Sequence, residues 1–512
     1  MGGWRSILLV IHKLAYRLAP MSSLIIPFPT ELRPRLPTIL GNVDYLTLRS
    51  RLEQIDQLLQ CSGLERDFVE RALKRWLGEG TGTASAGQQQ KFQVRSRRAL
   101  RCTILRTLLQ EDYQGFSCAL AANPLYQWFC LVDGLEVVRV PSKSELQRFT
   151  QWLPAAEMRA LIDGLSLSGL KQSRKLQLKA PLDLESYFLD TTCLKANIHF
   201  PTDWVLLRDG VRTLMKATEL IRKNGLKSRM RPPAEFLRRM NRLSIEMTQR
   251  RRGRKATLRR MKKRLRIVRA HARRHRELLD KNWEKTPWTR PQVEQVLGRI
   301  DGVLDLLPKA QKQAHERIIG GRLVANSQKI LSLYEPDVRV IVRGKADAEV
   351  EFGNTVLVAE NAQGIILDYQ VWREPAPADV NLPLESLERL KEVLGCTVGA
   401  VVTDRGFASA ANTWGLKSCG IYDGTCPRQP ARLKARMRSG CFAQLQRRRG
   451  QTEGRISILK RGFLGTPMRA KGFEHRELAL AWGVLAHNLW MFARMVKKKK
   501  KRKTPDPLRQ AA

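Results

Sequence analysis

The chain predicts an α/β protein: a mixed sheet flanked by helices, preceded by an all-helical N-terminal region and interrupted by a long basic helical insertion. Three observations carry this reading. Short apolar runs rich in strand-forming residues occur in two separated blocks, one starting at Tyr187 and one from about Pro336,. Helical periodicity fills most of the sequence before and between them. The segment between the blocks is intensely basic along its length.

The elements follow in order. Over 44–80, Leu48, Leu52, Ile55 and Leu59 recur at helical spacing, and Ser62-Gly63 breaks the run before a second amphipathic stretch,. The glycine-rich segment Gly78–Gly87 reads as a linker,. Helix resumes over 91–122, and Ser142 with Glu145 three residues later forms a capping box for another helix,. "YFLDTTCLKANIHF" (187–200) reads as a strand. Helix then returns from Trp204 to about Ala325. Within it, Arg250–Glu277 holds fifteen Lys and Arg in 28 residues, with Leu258, Met261, Leu265 and Val268 as a thin apolar stripe. A solvated face is one reading. A phosphate-tracking face that includes Arg259, Arg260, Lys262 and Lys263 is the other, because like charges along a helix repel unless a polyanion compensates. "VRVIVRG", "TVLVAE" and "GIILDYQVW" read as strands, "LESLERLKEVLG" as a helix, and "GAVVTD" and "LKSCGIYDG" as further strands. Helices over 435–461 and 475–496 close the fold.

The expected organisation is an extension at 1–41, a helical region at 42–180, a sheet-bearing domain at 181–205 and 330–475, the basic insertion at 206–329, a closing helix at 476–496 and a basic tail at 497–512, expected to be disordered,. At 512 residues and 43% hydrophobic content the chain can bury a sizeable core,. Its 92 Lys and Arg against 48 Asp and Glu, a formal charge of +44, point to a polyanionic partner, nucleic acid first,. Charge alone fits a structural nucleic-acid binder as well as an enzyme. The nine cysteines show neither CxxC pairs nor zinc-ligand spacing, which fits buried thiols in a reducing compartment,. The run "ILLVI" near the start is broken by His12 and Lys13, and no apolar run of ~18 residues occurs anywhere, so no membrane partner is expected,. "MGGWRS" fits the loose myristoylation pattern only weakly, and Met21 is a second plausible start,. The expected location is the cytoplasm, associated with the nucleoid.

Three carboxylates hold special places in this order. Asp190 lies within or at the end of the first strand, Asp404 closes the apolar strand "GAVVTD", and Glu453 sits on a late helix. If the two strands are neighbours, both aspartates emerge at one edge of the sheet, where a helix packed across it can bring Glu453. Such a patch is self-repelling unless hard cations occupy it, and Mg²⁺ suits carboxylate and phosphate oxygens. Two such ions about 4 Å apart serve phosphoryl transfer. Arg449 and Lys460 fall on the same helix face as Glu453, while Gly450 and Gly454 each weaken that helix by about 1 kcal/mol relative to Ala,. Each acid has a plainer reading. Asp404 can cap a turn, Asp190 can pair with Thr191, and Glu453 can pair with Arg449 on the surface. Asp203, Glu360 and Asp368 are competing acids.

These residues resemble the DDE transposases of bacterial insertion sequences, whose catalytic domain is ribonuclease-H-like. "FLDTTCLKANIHFPTDWVLLRDGVRTL" is similar to the family's first-aspartate strand and following segment, and "VTDRGF" to its second. "RRRGQTEGRISILKRGFLG" resembles its glutamate helix, "LAWGVLAHNLWMFAR" its closing helix, and "NPLYQWF" with "SKSELQRF" its N-terminal helical region. The similarity covers about 124–205 and 330–496. It implies that Asp190, Asp404 and Glu453 form a triad binding two Mg²⁺ ions, with Mn²⁺ as the substitute. It also implies that Arg449 and Lys460 are the signature's basic residues. The signature's tyrosine falls on Gln446, and the insertion puts 214 positions between the two aspartates; both depart from the pattern. Arg405 has two readings, phosphate contact and plain surface residue. The activity implied is binding of terminal inverted repeats through the N-terminal helices, hydrolytic cleavage exposing a 3′-OH, and attack of that hydroxyl on target duplex DNA, by a homodimer holding two DNA ends. A ribonuclease-H-like nuclease or resolvase without strand transfer and a non-catalytic basic DNA-binding protein are the alternatives.

Overall fold

The computed structural model describes residues 36–79, 84–134, 137–250, 252–345 and 348–497. The signal-like run, Met21, the linker centre at 80–83 and the tail beyond Lys497 lie outside them. Among the described residues seven helices come first: α1 (Val43–Cys61), α2 (Leu64–Glu79), α3 (Ala86–Leu109), α4 (Tyr113–Ala122), α5 (Pro124–Cys130), α6 (Lys143–Thr150) and α7 (Ala155–Lys171). The break between α1 and α2 falls at Gly63, whose φ of +82° favours glycine,. The expected helix over 91–122 is instead two, because Gln110 takes a left-handed conformation and Asp112 caps α4 through the N–H groups of Gln114 and Gly115,. Ser142 caps α6 as its spacing predicts, accepting from Glu145 N–H.

The sheet is mixed and six-stranded: β1 (Ser186–Lys195), β2 (Arg339–Lys345), β3 (Ala348–Asn361), β4 (Ile366–Val371), β5 (Ala400–Val402) and β6 (Tyr422–Asp423). β1 is central. It pairs antiparallel with β3 on one side, from Tyr187 opposite Asn361 to Lys195 opposite Gly353. On the other side it pairs parallel with β5, Phe188 lying opposite Val402, and β5 pairs parallel with β6. The far edge of β3 is shared by β2 and β4. Gly353 is required where β3 meets β1, since a Cβ there would lie 2.0 Å from the Leu194 carbonyl oxygen.

The stretch expected as a strand at 416–424 is helix to Ser418, within α13 (Ala410–Ser418), and strand only at Tyr422–Asp423. Leu416 is buried in that helix, and Gly420, at φ +69°, ends it,. α12 (Leu382–Leu394) precedes β5. The expected single helix over 435–461 is divided into α14 (Pro430–Arg436) and α15 (Gly440–Leu459).

One apolar core joins the N-terminal helices to the sheet, running from Leu52 of α1 to Val496. Its axis is the closing helix α16 (Phe473–Met495), buried on most of its surface, with Trp482, Leu485 and Phe492 wholly enclosed. A helix apolar on nearly every side is stable only when surrounded. A second core belongs to the insertion alone: α8 (Asp203–Lys223), α9 (Pro233–Gln249), α10 (Arg254–Asn282) and α11 (Arg290–Ile318) pack Leu214, Met240, Leu265, Val268 and Ile300 against one another. Among the described residues, no helix is long and apolar enough to cross a membrane.

Candidate active site

The two predicted aspartates meet for a reason of register. β1 and β5 run in the same direction, and Phe188 faces Val402. Asp190 lies two residues further along β1 and Asp404 two residues past Val402, beyond the end of β5, which brings both acids to the same end of the pair. The β1 burial pattern breaks at Asp190 and Thr191, partly buried between fully buried neighbours. Asp404 turns the chain out of β5. Its carboxylate accepts from the Gly406 N–H at 2.7 Å, so the turn-capping reading holds. Gly406 keeps the site open, since a Cβ there would sit 2.9 Å from Asp404 Oδ1 and 3.3 Å from Asp379 Oδ2.

Glu453 arrives on α15, which packs across β1 and β5. Its side chain is 64% exposed, with a carboxylate oxygen 3.8 Å from Arg449 Nη2. The three acids share one field. Burial first, then Asp404, pushes the Asp190 carboxyl up to about 6; Glu453 adds to this, while the Thr191 N–H and Arg449 oppose it,. All three line an open cleft of about 1070 Å³, together with Asp379, Thr191, Thr192, Lys460 and Arg461. Lys460 Nζ donates to Thr192 Oγ1 at 3.2 Å, which ties the end of α15 to β1.

Three residues have contacts here that the sequence did not show. Asp379 lies in the proline-flanked loop before α12 and accepts from Thr191 Oγ1 at 3.1 Å, a fourth acid beside the two aspartates; no local pattern marks it. Gln446, where the resemblance expects tyrosine, donates through Nε2 to the Gly424 carbonyl at 2.6 Å and to the Thr403 carbonyl at 3.4 Å. It therefore fastens the glutamate helix to the residue preceding Asp404. Glu360 of β3 is buried and accepts from Arg448 and from Thr452 Oγ1 (2.9 Å), with Arg455 close by. These contacts clamp α15 to the sheet on either side of Glu453. Gln446→Ala is expected to loosen α15 from the ends of β5 and β6 without removing charge, read as faster amide hydrogen exchange along α15; unchanged exchange is the contrary result,.

The competing acids have structural partners. Asp368 is fully buried and held by Arg159, Arg389 and Ser386. Asp203, at the start of α8, is bound by Arg317 and Gln313. Arg405 is exposed beside the site, its carbonyl accepting from Arg428. Arg259 and Lys263 are exposed on α10, whereas Arg260 pairs with Glu246 and Lys262 Nζ donates to His315 Nδ1 at 3.2 Å.

The donors available to a metal ion are carboxylate oxygens, the set that Mg²⁺ and Mn²⁺ prefer, and the Asp190 carboxyl is held high by burial first and then by Asp404, whose charge a cation would offset,. Among the described residues, no three such side chains converge as placed. Glu453 is exposed enough to change rotamer on a fast timescale,.

No protein-family model, curated protein or solved structure matches the chain.

Proposed function

We propose that the protein is a DNA transposase of the DDE type, with a ribonuclease-H-like catalytic domain, acting on the ends of its own element. The observation that carries this is the pair Asp190 on β1 and Asp404 just past the parallel neighbour β5, with Glu453 of α15 lining the same cleft. The motif resemblance and the +44 charge support it. Asp190, Asp404 and Glu453 would hold two Mg²⁺ ions, or Mn²⁺ in their place. When bound, such ions supply activation of the attacking oxygen and stabilisation of the leaving oxygen. Asp190 enters that role from a central strand and Asp404 from a capped turn at the end of β5, so their positions are set before substrate binds,. Lys460 and Arg449 offset phosphate charge beside the acids, and Arg405 stands at the rim for the same task.

Gly450 and Gly454 bear on the same reading. A Cβ at either would meet no heavy atom within 4 Å, so packing inside the chain does not require glycine there. Their bareness keeps the Glu453 face of α15 low, as close approach of a DNA backbone requires. The N-terminal helices would bind the terminal repeats, and two copies would hold two ends. The reading is tested with the full chain, Mg²⁺ and a labelled duplex carrying an element end, with a supercoiled plasmid as target. Cleavage that exposes a 3′-OH at the element boundary, followed by joined product, is expected. Cleavage without joining would favour the nuclease alternative, and no cleavage would favour a non-catalytic binder.

A further inference from the structure

The basic insertion is a four-helix bundle with its own core, and its third helix, α10, carries two kinds of cation. The apolar side of α10, formed by Leu258, Met261, Leu265, Val268, Ala272 and Leu279, is buried in the bundle. Arg260 and Lys262 flank it and are engaged by Glu246 and His315. Arg276 is engaged by Asp280 and Asp301. Lys255, Arg259, Lys263, Arg266 and Arg273 are all exposed. Their steps of four, four, three and seven residues put them in one row, on the side of the helix away from the core,. Among the described residues, none of these five has an ion-pair partner. The row ends at Glu277, the next exposed position on the same line.

We infer that this row is a sequence-independent grip on duplex DNA, laid lengthwise along the helix and separate from the contacts that recognise the element's ends. From Lys255 to Arg273 the row spans about 27 Å at 1.5 Å per residue. That matches roughly eight base-pair steps of 3.4 Å. Five aligned cations without acidic partners repel one another, and closely spaced phosphates relieve that repulsion with release of counterions. Lysine and arginine reaching phosphates position a protein on the duplex without reading bases. A membrane surface is the poorer fit, because an interfacial helix inserts its apolar side, and here that side is occupied by the bundle core,.

The inference rests on DNA being the substrate, and its test separates the two. Binding is measured with the full chain in EDTA, where no cleavage occurs, on duplexes of about 30 base pairs with and without an element end, over a range of salt. The variant Lys255→Gln/Arg259→Gln/Lys263→Gln/Arg266→Gln/Arg273→Gln is expected to flatten the slope of log affinity against log salt by about 4 on both duplexes. Arg260→Gln/Lys262→Gln is expected to change it by less than about 1. An unchanged slope in the five-residue variant overturns the inference. So does a change confined to the end-bearing duplex, or a loss seen only with duplex RNA or acidic-lipid vesicles. If circular dichroism shows that the five-residue variant is unfolded, Lys263→Gln/Arg266→Gln/Arg273→Gln takes its place, with an expected change of about 2 to 3 and the same overturning results. A grip that fails here while end cleavage persists removes only this inference; cleavage that fails while the slope responds removes only the catalytic reading.

Discussion

Asp404→Asn is expected to reduce cleavage of element-end DNA by at least about 10³-fold, or about 4 kcal/mol of transition-state stabilisation, with DNA affinity unchanged or raised. The substitution isolates charge from structure. The asparagine side-chain oxygen can still accept from the Gly406 N–H, so the turn leaving β5 is preserved,. The volume is nearly the same, and the neighbouring Val402 and Thr403 stay buried. What is lost is one negative charge beside Asp190. The Asp190 carboxyl, held up to about 6 in part by Asp404, should then fall toward the ordinary aspartate range,. Binding isotherms, thermal melts and single-turnover cleavage, run side by side, separate these effects. A mutant that folds, binds and cleaves like the parent would remove Asp404 from catalysis.

The largest stability effect is expected far from the cleft. Arg101 of α3 is fully buried and joins three helices: it binds Glu65 of α2 at 2.6 Å, Asp56 of α1 at 2.6 Å and the Phe129 carbonyl of α5 at 3.1 Å. Arg97 adds a second contact to Glu65. Burial alone would raise the Glu65 carboxyl, but the Arg101 and Arg97 guanidiniums outweigh it and hold it below the usual carboxylate range. Arg101→Met removes the cation while keeping an apolar stem, leaving Glu65 and Asp56 short of their main partner. The expected loss is about 3–5 kcal/mol. Denaturant unfolding checks it, with an unchanged midpoint as the contrary result. The pH dependence has a definite sign. A carboxyl whose folded value is depressed contributes its full stability above its unfolded value and loses it as pH falls through the folded value. The parent should therefore lose stability on acidification below the ordinary glutamate range, and the mutant should lose less of it.

Much of the local structure around the candidate site was legible because strand and helix signals are local. An apolar run ending in an acid, as in "GAVVTD", announces a buried strand that delivers a side chain at its end. The capping box at Ser142, the break at Gly63 and the apolar stripe of α10 were readable for the same reason, each depending on residues within a turn or two. Tyr422–Asp423 was harder. "LKSCGIYDG" contains both a helix end and two strand residues, and only burial of Leu416 against the fold decides where one stops. Asp379 was invisible because its part in the cleft depends on Thr191, 188 positions away in the chain. Gln446 was visible only as a departure from a pattern; its two carbonyl acceptors, Thr403 and Gly424, lie 43 and 22 positions away in the chain, just past β5 and β6.

The sequence by itself determined which residue types were available: a basic chain, two strand-end aspartates, a glutamate on a late helix and an amphipathic insertion. These follow from composition and short-range periodicity, which the chain carries before it folds. Tertiary structure decided which of its acids share a field. Parallel pairing of β1 with β5 sets Asp190 beside Asp404, while Asp368 and Glu360 are neutralised by arginines from α7, α12 and α15. It also sorted the cations of α10 into those turned toward bundle partners and those left in an outward row. The physical reason is range: helix and strand preferences act over a few residues, whereas the electrostatics of a carboxylate depends on whatever packing brings within several ångströms of it.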